Sequence, residues 1–397
     1  MVERRDSTLR DRTRDELFEL IRTTPAITRA RLAELTGVSR STVNHAVGRL
    51  VDAGLVAEVP AVRSKASGRP GVGLAVAPSG GAVGGIDFGH GHIAVAVADA
   101  VGTVLGSEYR PMNVDLDAAG ALDYAVDTLT RLAGAHTDRP LSLVVAGVPG
   151  PLDARTGEVR SPTILSGWVG RAPAQELADR LGAPVHVEND AVLGAYGERQ
   201  LGAGRGHQDF LYVKASGGIG AGLMLGGSIY NGATGLAGEI GHTEVAGHTE
   251  PCRCGNRGCL EAVVSIDSLR AQIAHAHPGR DLAAPPVAHA RPGGDMSAPH
   301  IGLGDLSDPI TTRIINEAGR TLGRALAGMC NLLNPSAVII GGLLGTAAPA
   351  FVDGVEASIR RRAQPATAAE LSVLAAELGP RAELFGAIQL AAHRAPR

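Results

Sequence analysis

Apolar positions recur at helical spacing three times within the first fifty residues. Leu17, Phe18 and Ile21, with Leu20 beside them, form one stripe. A second helix is predicted from a capping threonine, Thr28, to Gly37. The third starts at Ser39 and buries Val43, Ala46, Val47, Leu50 and Val51. The tight "TGVS" connection between the last two predicts a helix-turn-helix. The following "GLVAEVPAVRSKASGRPGVGLAVAP" reads as a two-stranded wing.

From residue 83 the period changes. "VGGIDFGHGHIAVAVADAVGTVL" is a strand, a glycine turn, a strand, a further turn and a third strand. The same layout returns at Asp209 in "DFLYVKASGGIGAGLMLGGSIY". Helical patterns follow both, as in "DAAGALDYAVDTLTRLAG" and "INEAGRTLGRALAGMCNLLN". These patterns predict two similar α/β lobes around a cleft, with both glycine turns facing it. The expected boundaries are a head at 1–70, a linker at 71–82, and lobes at 83–200 and 201–397. Residues 277–310 lack periodicity and read as a surface insertion, with His289 and His300 in solvent.

Composition adds an ordinary globular balance, 44% hydrophobic and 19% charged over 397 residues, which allows two or three cores. No stretch has signal-peptide character, and no run approaches the roughly 20 apolar residues of a membrane span, so the expected location is cytoplasmic. The net charge of −3 conceals an asymmetry: residues 1–70 carry 13 Arg plus Lys against 9 Asp plus Glu, and the remainder carries 24 against 31. On the third helix the outward residues are Arg40, Ser41, Thr42, Asn44, His45 and Arg49, suited to phosphates and base edges in a major groove. Arg63, Lys65 and Arg69 sit in the wing loop, where a "GRP" arginine can enter a minor groove. A helical oligomerisation module is the bland alternative. Helix spacing, turn, cap and basic wing together favour operator DNA as the partner, bound by a homodimer or a dimer of dimers.

Candidate metal chemistry is concentrated in "GEIGHTEVAGHTEPCRCGNRGCLE". Cys252, Cys254 and Cys259 fall within eight positions, and His242 lies ten residues upstream, a set suited to a tetrahedral zinc ion. His248 competes for the fourth place. Four protein ligands leave no position for a catalytic water, so the zinc is expected to be structural. Cys330 falls in an apolar helix pattern and is expected in the core.

"GEIGH" followed by "CRCGNRGCLE" resembles the paired signature of the ROK family, which comprises repressors, open reading frames and sugar kinases. "GVPGPLD" at 147–153, "VENDAVLGAYGE" at 187–198 and "NPSAVIIGGLL" at 334–344 resemble further family landmarks. The likeness runs from about residue 83 to the C-terminus, and the head resembles that of the family's regulator branch. It implies an actin-like, two-lobed sugar-kinase fold, with the last helix returning to the first lobe. It also implies sugar contacts at Asn189, Asp190, Glu239, His242 and Glu261, with Asp190 as the base in any kinase. Without the resemblance, Asp190 reads equally well as a helix cap. Val192 stands where many relatives carry a polar residue.

Family kinases hold ATP phosphates with a turn resembling Asp-x-Gly-Gly-Thr-Lys. Here "DFGHGH" keeps Asp87 and Gly89 but places His90, Gly91 and His92 in the last three positions. That change argues against ATP as a cofactor and for a sugar-responsive regulator with no catalytic residue. The alternative is an ATP-dependent hexose or N-acylhexosamine kinase with an appended DNA-binding head.

Overall fold

A computed structural model of the protein describes residues 13–52 (except 15, 19, 22, 23 and 25), 55–60, 72–77, 81–153, 157–159, 165–278 and 302–395. Arg63, Lys65 and Arg69 of the wing loop lie outside the described residues, as do His289 and His300.

In the head, the Thr28 hydroxyl accepts from the Arg31 amide at 3.3 Å and opens the helix Arg29–Thr36. Gly37 ends that helix at φ 69, a left-handed conformation that glycine adopts without strain. Ser39 then accepts from the Thr42 amide at 3.2 Å at the start of the helix Arg40–Asp52. Val43, Val47 and Leu50 are fully buried against Leu17, Phe18, Ile21 and Leu32, whereas Ala46 and Val51 are half-buried at the rim. The strands Val56–Pro60 and Val72–Val76 pair antiparallel, and Ile27–Thr28 adds a third, short strand.

This pairing matches the second wing strand read from the sequence and shortens the linker expected at 71–82. Residues 72–76 belong to the head because Leu74 is buried in its core, opposite Glu58 in the sheet register. At the other end, Ala82 already begins a strand of the next unit.

Each lobe carries a five-stranded sheet of the same topology. In the first, Ala82–Gly89 pairs antiparallel with His92–Ala98, which pairs with Val104–Pro111; on the other side Leu141–Val148 and Val185–Asn189 continue in parallel. In the second, Phe210–Ala215, Ile219–Leu225 and the two-residue strand Ser228–Ile229 form the antiparallel part. Ala337–Gly341 and Ser372–Ala375 form the parallel part. The helix Ala118–His136 covers the first sheet with Ala121, Leu122, Ala125 and Leu129. The 25-residue helix Pro309–Leu333 covers the second. Cys330 is buried in that core, as expected for an apolar helix face.

Two helices join the lobes at their base. The helix Asp190–Leu201 follows the last strand of the first sheet, and its Ala191 and Ala195 lie against Gly222 of the second. The helix Ala382–Arg394 comes from the second lobe and packs Leu384, Ile388 and Ala391 with Val83, Ala96 and Val145 of the first sheet. These two helices cross in backbone contact. A Cβ on Gly386 would stand 1.8 Å from the Leu193 carbonyl oxygen, and one on Gly197 would stand 2.4 Å from that of Ala382. Only glycine at both positions allows this approach.

Candidate functional site

On the head, Arg40, Ser41, Thr42, Asn44, His45 and Arg49 are all exposed along one helix. The sequence-predicted recognition face is therefore continuous and unobstructed by the head's own core. Ser39 holds Ser41 and Thr42 through hydroxyl contacts of 2.9 and 2.8 Å, so the first turn is ordered by its own side chains. Arg29 pairs with Glu58 at 2.8 Å and ties the helix Arg29–Thr36 to the wing strand.

In the second lobe, His242, Cys252, Cys254 and Cys259 bring one donor atom each to within 4.8 Å of one another. The loop folds back through short antiparallel bridges between Glu244 and Cys259 and between Pro251 and Arg257. Gly258, at φ 67, makes the return possible: a Cβ there would meet the His248 carbonyl oxygen at 2.4 Å. His248 is not among the donors; its Nδ1 lies 3.0 Å from a Glu250 carboxylate oxygen. The competing ligand set drawn from the sequence is thereby removed. Burial and the neighbouring thiols push Cys259 up to about 12. Three sulfur donors and an imidazole crowded together are the donor set of a thiophilic cation, which replaces thiol protons on binding.

His242 has two faces. Its Nδ1 lies 3.7 Å from the Cys252 sulfur, and its Nε2 lies 3.8 Å from a Glu239 carboxylate oxygen. A cation on the first nitrogen would leave the second beside Glu239. Burial, together with the negative charges of Asp190 and Glu261, pushes Glu239 up to about 7. Glu261 accepts from the Ile219 amide at 3.0 Å through one oxygen and meets Arg253 Nε at 3.2 Å through the other.

Asn189, not Asp190, is the cap of the helix Asp190–Leu201. Its amide oxygen accepts from the Ala191 and Val192 amides at 2.9 and 3.3 Å, and its Nδ2 donates to the Gly150 carbonyl at 3.2 Å. One Nδ2 hydrogen remains for a ligand hydroxyl. Val192, conspicuous in the sequence, is buried in this helix.

Asp190 Oδ1 also accepts from the Ala191 amide at 2.7 Å, and its other oxygen is paired. Lys214, inside the strand Phe210–Ala215, places Nζ 2.8 Å from Asp190 Oδ2 and 3.6 Å from Glu383 Oε1. Tyr212 donates to the same Glu383 oxygen at 3.2 Å. Burial would lower the Lys214 pKa, but Asp190, Glu383 and Asp87 together hold it well above the ordinary lysine value. Burial likewise raises Glu383, with Lys214 opposing the rise. Sequence reasoning passed over this pairing, although a lone lysine in the apolar strand pattern "FLYVKA" was the available signal.

The first glycine turn holds its histidines in fixed places. His92 Nε2 lies 2.9 Å from Asp87 Oδ2, and its ring stacks on Tyr109 with centroids 5.2 Å apart. Burial would raise Asp87, but His92, with Lys214 behind it, keeps it below the usual carboxylate range. His90 Nδ1 lies 2.7 Å from Asp115 Oδ1. Its Nε2 comes within 3.2 Å of where a Cβ on Gly218, in the second glycine turn, would stand. The imidazole thus fills the space between the two turns. A nucleotide phosphate needs that space, together with small residues and free backbone donors.

Comparison with known proteins identifies the two units. The ROK family profile matches residues 83–394, and a winged helix-turn-helix DNA-binding profile matches residues 10–57. The chain is 28% identical over 372 residues to the xylose repressor of Bacillus subtilis strain 168, covering 93% of this chain and 92% of that protein. It is 30% identical over 309 residues to the glucokinase of Halalkalibacterium halodurans, covering 76% and 92%. Among solved structures, a ROK family transcriptional regulator described as a homolog of the Escherichia coli Mlc protein superposes with a TM-score of 0.76 at 25% identity. That match covers 98% of this chain and 97% of the other.

Proposed function

The chain belongs to the ROK family as a transcriptional regulator with a winged helix-turn-helix head, and on that footing we propose that it is a sugar-responsive repressor that does not phosphorylate its ligand. The head, residues 1–76, binds an inverted-repeat operator as part of a homodimer or dimer of dimers. Arg40, Asn44 and the wing arginine Arg69 read bases, and Ser41, Thr42, His45, Arg49, Arg63 and Lys65 add phosphate contacts. The body binds a sugar between its lobes through Asn189, Asp190, Glu239, His242 and Glu261. Carboxylates and an amide suit vicinal hydroxyls, and the second nitrogen of His242 can serve one more. His242, Cys252, Cys254 and Cys259 would hold a structural zinc ion, whose role is to fold the loop that carries these contacts. Among the described residues no helix is long and apolar enough to cross a membrane, in keeping with a cytoplasmic regulator.

The observation that carries this reading is the Lys214–Asp190 pair at 2.8 Å. A general base must be free to reach the hydroxyl it deprotonates. Here the carboxylate is held by an ammonium, and His90 occupies the gap between the phosphate turns. A pocket that binds without turnover keeps its ligand long enough to report it. The second reading, a kinase with a DNA-binding head, draws on the retained Asp190 and on the glucokinase relatives. A coupled ADP-release assay across hexoses, pentoses and N-acetylhexosamines separates the two. The repressor reading predicts no sugar-dependent ADP formation. Release at an enzymatic rate, abolished by Asp190→Asn, would establish the kinase.

A further inference from the structure

The structure assigns to Arg253 a positioning role: its guanidinium orients the sugar-contact residue Glu261 and, through Asp115 and His90, bridges the second lobe to the first across the cleft.

Arg253 lies between two of the clustered cysteines, Cys252 and Cys254, so the fold of that loop decides where its side chain emerges. Three of its nitrogens are used. Nη2 donates to the Gly217 carbonyl of the second glycine turn at 2.8 Å, Nε meets Glu261 Oε1 at 3.2 Å, and Nη1 faces Asp115 Oδ2 at 3.6 Å. The first two contacts stay within the second lobe. The third crosses to the first lobe, where Asp115 sits in the segment before the helix Ala118–His136.

Asp115 is itself held. Its second oxygen takes His90 Nδ1 at 2.7 Å, and the adjoining Val114 amide donates to the His90 carbonyl at 3.2 Å. The chain of contacts therefore runs from the cysteine loop, through one guanidinium, to the turn that would otherwise receive a nucleotide. Only a fork with several donors can serve a carbonyl and two carboxylates at once, so lysine is not an equivalent residue here.

Amide hydrogen exchange on the full-length protein tests the bridge without any ligand. Arg253→Met should speed exchange at residues 217–219 and at 113–117 by about tenfold, because both segments lose a partner. Arg253→Lys should give intermediate rates, and zinc per chain by elemental analysis should stay at the wild-type value in both. Asp115→Asn, a change in the other lobe, should also speed exchange at 217–219, and the double variant Asp115→Asn/Arg253→Met should add little further. Equal rates for Met and Lys at position 253, no effect of Asp115→Asn at 217–219, or additive effects in the double variant would each overturn the bridge.

The consequence for the ligand rests on the sugar-binding reading above. Titration with glucose and with xylose should show affinity about tenfold weaker in Arg253→Met than in wild type. Wild-type protein that binds neither sugar would remove the affinity claim for these ligands together with the sugar reading, while the exchange result would still decide the bridge. Wild-type-like affinity in Arg253→Met would overturn the positioning of Glu261.

Discussion

Lys214→Met removes the cation from the buried group that also contains Asp190 and Glu383, and its cost can be worked from the geometry. At an effective dielectric constant of about 20, unit charges at the observed 2.8 and 3.6 Å attract by about 6 and about 5 kcal/mol. Most of that gain in the native protein is offset by desolvation of the three groups. Replacing only the lysine leaves the carboxylates buried without restoring their hydration, so the net loss should be about 3–5 kcal/mol.

The loss should also depend on pH. Glu383 already has a folded pKa above its unfolded value because of burial, and the variant lacks the ammonium that opposes this rise. A carboxyl raised in the folded state binds more protons there than in the unfolded chain. Its contribution is fully present below the unfolded pKa and is lost as pH rises through the folded pKa. Urea unfolding followed by circular dichroism should therefore show a large deficit at about pH 7.5 that narrows at about pH 5.5. Lys214→Arg, which keeps a cation, should lose less. A Met variant within about 1 kcal/mol of wild type at both pH values, or a deficit that grows toward acid, would refute the reasoning.

Three other outcomes follow from separate parts of the molecule. Cys259→Ser should lose zinc by elemental analysis and lower the melting temperature by more than about 5 °C, because ligation and local folding are linked. Gly386→Ala forces a methyl group onto the Leu193 carbonyl and should destabilise the body by about 1–3 kcal/mol in the same urea assay. Arg40→Ala should weaken operator binding by about 1–3 kcal/mol in fluorescence anisotropy, with relaxed preference at the base it contacts.

Much of this was legible in the sequence, and what was legible was local. The head's helices announce themselves through period and caps, because Thr28, Gly37 and Ser39 act within three or four residues of themselves. The two lobes are visible because strand, glycine turn and strand repeat with the same apolar pattern, and the cysteine cluster because its spacing lies within one loop. What escaped depends on contacts between distant segments. Lys214 and Glu383 meet across 169 positions, and nothing near either residue marks the other. His242 was the expected fourth donor, and the direction in which the loop folds back sets its competitor His248 against Glu250. Residues 72–76 read both as a wing strand and as the start of a linker, because glycine and alanine dilute their pattern; Leu74 in the head core decides for the strand. Asp190 and Asn189 are both good caps by residue type; Asn189 takes the cap position, while Asp190 gives one oxygen to the Ala191 amide and the other to a lysine on a strand of the other lobe.

The central claim is that sugar binding in the body changes DNA binding by the head without chemistry on the sugar. It is tested most directly by measuring operator affinity, by anisotropy at fixed salt, with and without a sugar that shifts the protein's melting temperature. The account predicts a change of about 5- to 150-fold, the range of typical allosteric coupling, with the sugar recovered unmodified. Operator affinity unchanged by a sugar that demonstrably binds, or recovery of that sugar as its phosphate when ATP is present, would contradict it.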